Sequence, residues 1–223
     1  MTETGSGTRL LSLSQPESII EGARLLREGA VVAIPTDTLY GLAAAIFDER
    51  AVESVFEIKR RSREDRVPVL MASAADLPLL CRNVSPTGWA LIERFWPGPF
   101  TLVLPARRSA PDWITRGRDT VAVRVPAARS TLELLEVLGE PVVGTSANIH
   151  RRPPAVTAEQ VLGEFEGQIA AVLADDAAIV QGSPSTVAAV SEDRVTILRE
   201  GMIPLEEIRG AVGPRAVVRA NTL

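Results

Sequence analysis

Cysteine and histidine are almost absent from this sequence. The 223 residues include one cysteine, Cys81, and one histidine, His150, so the chain cannot form an internal disulfide or assemble a Cys/His zinc site. A Ser-His-Asp or Cys-His mechanism would have to use His150, but its polar, proline-flanked surroundings favour an exposed loop imidazole. We therefore expect none of these catalytic or metal sites.

The sequence also lacks long hydrophobic runs. Apolar runs such as 30–34 and 169–174 fall far short of the roughly 18 residues that a membrane span requires. Residues 1–5 carry neither the positive nor the apolar region of a secretion signal. We therefore expect no membrane association and a cytoplasmic location.

Lysine is nearly absent too, because 23 of the 24 basic residues are arginine and only Lys59 is lysine. A single ammonium in an arginine-rich chain suits a place that needs a compact point charge, although it could equally be an ordinary surface lysine. Lys59 opens the densest basic stretch, 59–66, which holds five cations and two anions. Such a stretch is usually only a solvated face, and the net charge of −4 argues against a general polyanion binder.

Helix and strand patterns alternate along the whole chain. About seven strands and about seven helices are predicted, and some strands follow each other closely enough to pair antiparallel. These patterns predict a mixed α/β (α+β) fold of three layers, with helices flanking a twisted sheet of parallel and antiparallel strands. Helix starts are expected at polar residues that can cap a first turn: Ser14, Asp48, Ser73, Ser85 and Thr157. Residues 1–8 and 213–223 are expected to be loose ends.

Four polar clusters follow predicted strands or helices, where α/β sheets usually bind ligands. They are residues 35–42, Lys59 with Arg61, residues 145–148 and residues 182–186. Each is weak by itself, since Thr and Asp side chains also form ordinary turns and cations also pair with helix ends. Neither the phosphate-binding motif of P-loop proteins nor that of Rossmann proteins occurs in the structural context that it requires.

Taken together, the order and spacing of these segments resemble the YrdC family. The resemblance covers about residues 16–204 and rests on seven motifs: Pro35-Thr36-Asp37-Thr38-Leu39-Tyr40-Gly41-Leu42, Lys59-x-Arg61, Phe95-Trp96-Pro97-Gly98-Pro99, Val123-Arg124-Val125-Pro126, Ser146-Ala147-Asn148, Ser185-Thr186-Val187 and Leu198-Arg199-x-Gly201. It implies a single YrdC-like domain over residues 9–204, followed by a C-terminal helix and tail over 205–223.

Members of that family are threonylcarbamoyl-AMP synthases, which are nucleotidyltransferases. The resemblance therefore implies that this chain makes threonylcarbamoyl-adenylate and pyrophosphate from L-threonine, bicarbonate or CO₂, and ATP with Mg²⁺. The adenylate serves the threonylcarbamoyladenosine modification of tRNA, so tRNA or tRNA-modifying transferases are the implied partners. The family fold also implies a deep, positively lined groove.

The resemblance also implies roles for ten residues. Those expected to bind ATP are Lys59, Arg61, Ser146, Asn148 and Arg199, of which Lys59 and Arg61 are also the expected catalytic cations. Those expected to bind threonine are Thr36, Tyr40, Arg124, Ser183 and Ser185. No metal-ligating residue is implied. Lys59 and Arg61 are expected to be surface cations at a helix end, so that replacing them leaves the fold intact. The 95–99 motif is expected to pack and turn the chain, with aromatic stacking on a ligand as the alternative.

Four departures from the family pattern keep other functions open. Ala189 replaces the Asp of the usual S-T-V-V-D motif, Arg66 stands where Pro is frequent, and Glu200 replaces the Pro of L-R-P-G. After Ser146-Ala147-Asn148, His150-Arg151-Arg152 stands where a small, glycine-containing turn is expected. One alternative is a noncatalytic RNA-binding or ribosome-assembly paralogue of the YciO type, which the sequence pI of about 5.2 and the lack of aromatics in the basic stretch disfavour. Another is a carbamoyl-adenylate-forming unit of a larger enzyme.

Overall fold

The computed structural model describes residues 7–62, 64–175, 180–214 and 216–220. Within these ranges the chain forms eleven strands and eight α-helices. The strands are β1 (Arg9–Ser12), β2 (Val32–Ile34), β3 (Gly41–Ala45), β4 (Val69–Leu70), β5 (Phe100–Pro105), β6 (Thr120–Arg124), β7 (Val142–Ser146), β8 (Ala171–Ala174), β9 (Thr186–Ser191), β10 (Arg194–Arg199) and β11 (Val217–Arg219). The helices are α1 (Pro16–Arg27), α2 (Glu49–Lys59), α3 (Leu77–Leu80), α4 (Pro86–Phe95), α5 (Asp112–Thr115), α6 (Arg129–Leu138), α7 (Ala158–Phe165) and α8 (Leu205–Val212).

All eleven strands belong to one mixed sheet. Their order is β1-β8-β2-β3-β7-β4-β6-β5-β9-β10-β11. Five neighbouring pairs are parallel, including β4 with β6 and β5 with β9, and five are antiparallel, including β3 with β7. The predicted mixture of parallel and antiparallel strands is confirmed.

Helices cover both faces of the sheet, as the predicted three-layer architecture requires. Side chains alternate between the two faces of a strand, and β2 shows the result. Val32 and Ile34 belong to the hydrophobic core beneath α1 and α6. Ala33, between them, belongs to the larger core on the other face, beneath α2, α4 and α7. The apolar residues of the predicted strands are therefore divided between two cores.

The strand count is higher than the predicted seven or so, because three of the strands have weak sequence signals. β3 reads Gly-Leu-Ala-Ala-Ala, and alanine favours helices, but the strand is buried throughout between β2 and β7. β1 and β11 are short edge strands with mostly exposed residues, so they lack a hydrophobic pattern. β11 pairs with β10 within 213–223, where a loose end was expected.

Most predicted helix starts agree with the structure. Asp48, Ser85 and Thr157 accept hydrogen bonds from backbone N–H groups of the first turns of α2, α4 and α7. Ser73 caps a 3₁₀ turn before α3. The prediction for Ser14 is wrong, because α1 begins without a side-chain cap and relies on proline at its first position.

The loose ends expected at 1–6 and 221–223 lie outside the described residues. Within the described part of the chain, the helices are too short or too polar to cross a membrane.

Candidate active site

Most of the predicted site residues meet at one cavity of about 570 Å³ that lies over the central strands. Eight of the ten line it: Thr36, Tyr40, Arg61, Arg124, Ser146, Asn148, Ser185 and Arg199. They come from six separate segments of the chain, which the strand order brings together. Lys59 lies behind the lining, and Ser183 lies outside it.

The loop between β2 and β3 forms one wall of the cavity, and Thr36 fixes its shape. The Thr36 hydroxyl donates to the Leu39 carbonyl at 2.6 Å and accepts the N–H groups of Thr38 and Leu39, both at 3.2 Å. Thr36 and Tyr40 are both buried. The Thr36 hydroxyl therefore organises the loop as well as lining the cavity.

Arg124, at the end of β6, is held against this loop. Its Nη1 donates to the Thr38 hydroxyl at 3.0 Å, its Nη2 donates to Asp37 Oδ1 at 2.5 Å, and its Nε donates to the Gly98 carbonyl at 2.8 Å. Burial lowers the pKa of the Arg124 guanidinium, against the opposing effect of the Asp37 carboxylate. A guanidinium has five N–H donors, so two remain for a ligand in the cavity.

The 95–99 motif packs beside this arginine, as predicted, and lines no part of the cavity among the described residues. The Phe95 and Phe100 rings are 5.0 Å apart, and Trp96 Nε1 donates to the Phe100 carbonyl at 2.6 Å. The Gly98 N–H is bonded to the Val125 carbonyl at 2.9 Å. The turn thereby presents the Gly98 carbonyl that holds Arg124 Nε.

Lys59 is buried, contrary to the expectation of a surface cation. Only 2% of its surface is exposed. Its ammonium donates to the Ser146 carbonyl, to the Asn148 carbonyl at 2.7 Å and to Asn148 Oδ1 at 3.2 Å. These three bonds use all three donors of the ammonium. Desolvation, followed by the positive charge of Arg61, lowers the pKa of Lys59 from 10.5 to about 8.

The Ser146-Ala147-Asn148 loop after β7 is held by this ammonium and by its own side chains. Ser146 Oγ donates to Asn148 Oδ1 at 2.6 Å. The Asn148 amide donates to the carbonyls of Ile149 at 3.1 Å and Arg152 at 2.6 Å. The loop is therefore held by bonds within the protein, and Lys59, which makes three of them, does not itself line the cavity.

Arg61 lies where α2 ends and the chain turns back. Its Nε donates to Asp65 Oδ2 at 2.9 Å, its Nη2 to the Arg66 carbonyl at 3.0 Å, and its Nη1 to Thr145 Oγ1 at 3.3 Å. The preceding residue, Arg60, has a left-handed backbone with φ of 52°, which redirects the chain after the helix. These contacts place the Arg61 guanidinium in the cavity wall.

Arg199, at the end of β10, closes the opposite wall. Its Nη2 donates to the Ser185 carbonyl at 2.8 Å and to Ser185 Oγ at 3.2 Å, and Ser185 Oγ bonds to Thr101 Oγ1 at 2.9 Å. Gly201 lets the chain pass close to this segment, because a Cβ there would lie 2.3 Å from the Pro184 carbonyl oxygen. Only glycine fits that approach.

Ser183 is exposed and does not line the cavity, although its neighbours Gly182 and Pro184 do. Its prediction rested on the resemblance to the YrdC family, and the order of motifs does not show which side chains point inward. Ala189 also lies outside the lining, two residues beyond Val187, which does line it. The position of the missing family Asp is therefore next to the cavity wall.

Four further polar residues line the cavity that were not predicted as site residues: Thr38, Arg66, Thr101 and Thr145. Thr145 lay within a polar cluster of the sequence, and Arg66 within the basic stretch. Thr101 gave no signal, because it sits inside an apolar strand. His150 is exposed, as predicted. Among the described residues, no three His, Cys, Asp or Glu side chains lie close enough to hold a metal ion.

Comparison with known proteins assigns the family. Residues 24–201 match the sequence model of the Sua5/YciO/YrdC family, which carries the description "Telomere recombination". The chain belongs to this family. Its relatives include the threonylcarbamoyl-AMP synthases of Pyrococcus abyssi, which is 41% identical over 86% of this chain, and of Bacillus subtilis, which is 36% identical over 92% of it.

The fold of this chain matches part of a solved structure of a family member. The crystal structure of P. abyssi Sua5 complexed with L-threonine superposes with a TM-score of 0.89 and 37% identity, over 95% of this chain and 63% of that one. The present chain spans only 56% and 59% of the lengths of the P. abyssi and B. subtilis relatives. The resemblance to the YrdC family is thereby confirmed for the segment that this chain contains.

Proposed function

We propose that this protein is a threonylcarbamoyl-AMP synthase. It joins L-threonine, bicarbonate or CO₂, and ATP into threonylcarbamoyl-adenylate and releases pyrophosphate, as a nucleotidyltransferase supplying the tRNA modification. The observation that supports this most directly is the cavity that combines Arg124 and the threonine-rich loop with Arg61, Arg199 and the Ser146–Asn148 loop. One part suits an amino-acid carboxylate and the other suits phosphates.

In the proposed reaction the threonine amine attacks CO₂, forms an N–C bond and loses a proton. A carbamate oxygen then attacks the α-phosphorus of ATP, and the bond to the pyrophosphate oxygen breaks. Negative charge is redistributed over phosphate oxygens throughout, so catalysis depends on cations held in fixed positions. In this proposal Arg61 and Arg199 contact the phosphates and the two remaining donors of Arg124 hold the threonine carboxylate.

In this proposal Lys59 positions a loop, whereas its motif implied that it binds ATP as a catalytic cation. Its ammonium is committed to the Ser146 and Asn148 oxygens, so we assign it the positioning of that loop. Its positive charge still adds to the potential of the cavity. Mg²⁺ enters as MgATP, since the nearby carboxylates Asp37 and Asp65 are bonded to arginines.

The test is pyrophosphate release by the purified protein with ATP, Mg²⁺ and bicarbonate, with and without L-threonine, and with the product identified by mass. We expect release that depends on threonine and an adenylate of the mass of threonylcarbamoyl-AMP. Arg61→Ala should abolish it, whereas Arg60→Ala, which removes an exposed cation one residue away, should leave it unchanged.

Other outcomes would favour the alternatives. Release of pyrophosphate with carbamoyl phosphate but not with threonine would indicate a carbamoyl-adenylate-forming unit. No release with any amino acid, together with RNA binding, would indicate a noncatalytic paralogue. Equal activity of Arg61→Ala and the wild type would remove Arg61 from the phosphate site.

A further inference from the structure

Arg66 is a cation in the cavity wall that no family motif contains. It occupies a position where proline is frequent in the pattern, so a family comparison assigns it no role. Its side chain lines the cavity, and its Nη1 donates to Thr120 Oγ1 at 2.9 Å. The remaining N–H groups of its guanidinium stay available to a ligand.

The sheet register explains why Arg66 reaches this place. β4 and β6 are parallel, with Val69 opposite Val123 and Leu70 opposite Arg124. Arg66 and Thr120 each lie three residues before the pair of Val69 and Val123, so the same register brings Arg66 beside Thr120, at the beginning of β6. Arg66 therefore lies beside the first residue of β6, and Arg124 is the last residue of the same strand. The two ends of β6 are about 13 Å apart, at about 3.3 Å per residue.

The charges in the cavity are unbalanced. Arg61 is paired with Asp65 and Arg124 with Asp37, whereas Arg66 and Arg199 form no ion pair with any carboxylate among the described residues. Partial burial and the positive charge of Arg118 lower the pKa of Arg66. Unpaired guanidinium groups in a cavity are stabilised by an anionic ligand.

The proposed reaction fixes which part of the ligand lies near Arg66. Attacking and leaving oxygens are roughly in line at the phosphorus. If the threonine carboxylate is at Arg124, the carbamate approaches the α-phosphorus from that end of β6, and the pyrophosphate leaves toward the opposite end. Arg66 stands at that opposite end.

We infer that Arg66 is a ligand of the departing pyrophosphate, acting on the β- and γ-phosphates of ATP. This rests on the proposed function and adds a residue and a subsite to it. A guanidinium can bond two phosphate oxygens at once, so Arg66 would hold the leaving group while Arg61 and Arg199 serve the rest of the triphosphate.

The test is calorimetric binding of ATP, inorganic pyrophosphate and AMP to the wild type, Arg66→Ala, Arg66→Lys and Arg118→Ala. Arg118 is the matched control, because it is an exposed cation near Arg66 that lines a different cavity. Arg66→Ala should weaken ATP and pyrophosphate binding by roughly ten- to a hundredfold, the range for a hydrogen bond to a charged group. AMP binding and the KM for threonine should stay within about twofold.

Arg66→Lys keeps the positive charge but loses the planar guanidinium that can bond two oxygens at once. It should therefore recover part of the pyrophosphate affinity, which would show that the effect of alanine is not misfolding. Arg118→Ala should bind all three ligands like the wild type. The inference would be overturned if Arg66→Ala weakened pyrophosphate binding no more than Arg118→Ala does. It would also be overturned if Arg66→Ala weakened AMP binding as much as pyrophosphate binding. A wild type that binds ATP but releases no pyrophosphate with threonine would instead overturn the proposed function.

Discussion

The buried ammonium of Lys59 predicts an unusual dependence of stability on pH. The pKa of Lys59 is lowered from 10.5 to about 8, because desolvation disfavours the charged form. The difference of about 2.5 corresponds to about 3 kcal/mol at 1.36 kcal/mol for each pKa unit. Below pH 8 the ammonium is charged in both the folded and the unfolded chain, so the folded state carries the whole of this penalty.

Between pH 8 and pH 10.5 the folded chain has released this proton and the unfolded chain still holds it. The free energy of unfolding therefore rises with pH across that window. Lys59→Met removes the ionisable group and with it this contribution. We expect the free energy of unfolding of the wild type, minus that of Lys59→Met, to increase by about 2 to 3 kcal/mol from pH 7 to pH 10.

Urea denaturation at the two pH values measures this difference, and other titrating groups cancel between the two proteins. Arg60→Met is the control, because it removes an exposed cation from the next position and should give a difference that does not change with pH. If Lys59→Met behaves like Arg60→Met, the ammonium is solvated and its assignment as the support of the Ser146–Asn148 loop fails.

Three further outcomes follow from other contacts. Asp37→Asn should raise the KM for threonine roughly tenfold and leave that for ATP unchanged, because it weakens a charge-assisted bond to Arg124; equal changes in both would show a general loss of structure. Gly201→Ala should lower the free energy of unfolding by about 1 to 3 kcal/mol, since its Cβ would collide with the Pro184 carbonyl oxygen; an unchanged denaturation midpoint would contradict that contact. Burial raises the pKa of the Cys81 thiol to about 12, so a thiol reagent at pH 8 should react with the unfolded chain only, and rapid labelling of the folded protein would contradict its burial.

The positions of most helices and most strands could be predicted from local patterns. Asp48 and Thr157 start helices because a side-chain oxygen can satisfy the first free N–H groups wherever such a residue precedes an apolar period. The strand β5 was predicted because it is a run of mostly apolar residues between turn residues. These signals depend on a few neighbouring residues, so they can be interpreted without knowledge of the rest of the chain.

Motif order also identified eight residues that line the cavity, but it did not separate them from Lys59 and Ser183, which do not line it. Ser183 and Ser185 have the same composition around them, and only the bonds of Ser185 to Thr101 and Arg199 turn one inward. Lys59 looked like a surface cation because charged residues at helix ends usually are. Its burial depends on the Ser146 and Asn148 oxygens, which lie 87 and 89 residues further along the chain.

The sequence by itself thus determined the fold class, most of the element types and the family, since these follow from apolar period, caps and motif spacing. The tertiary structure decided the rest. The alanine-rich β3 is a strand because β2 and β7 flank it and supply its hydrogen bonds. Arg66 reaches the cavity because the parallel register of β4 and β6 brings it beside Thr120. Both depend on contacts between distant segments, and no local pattern encodes which segments will meet.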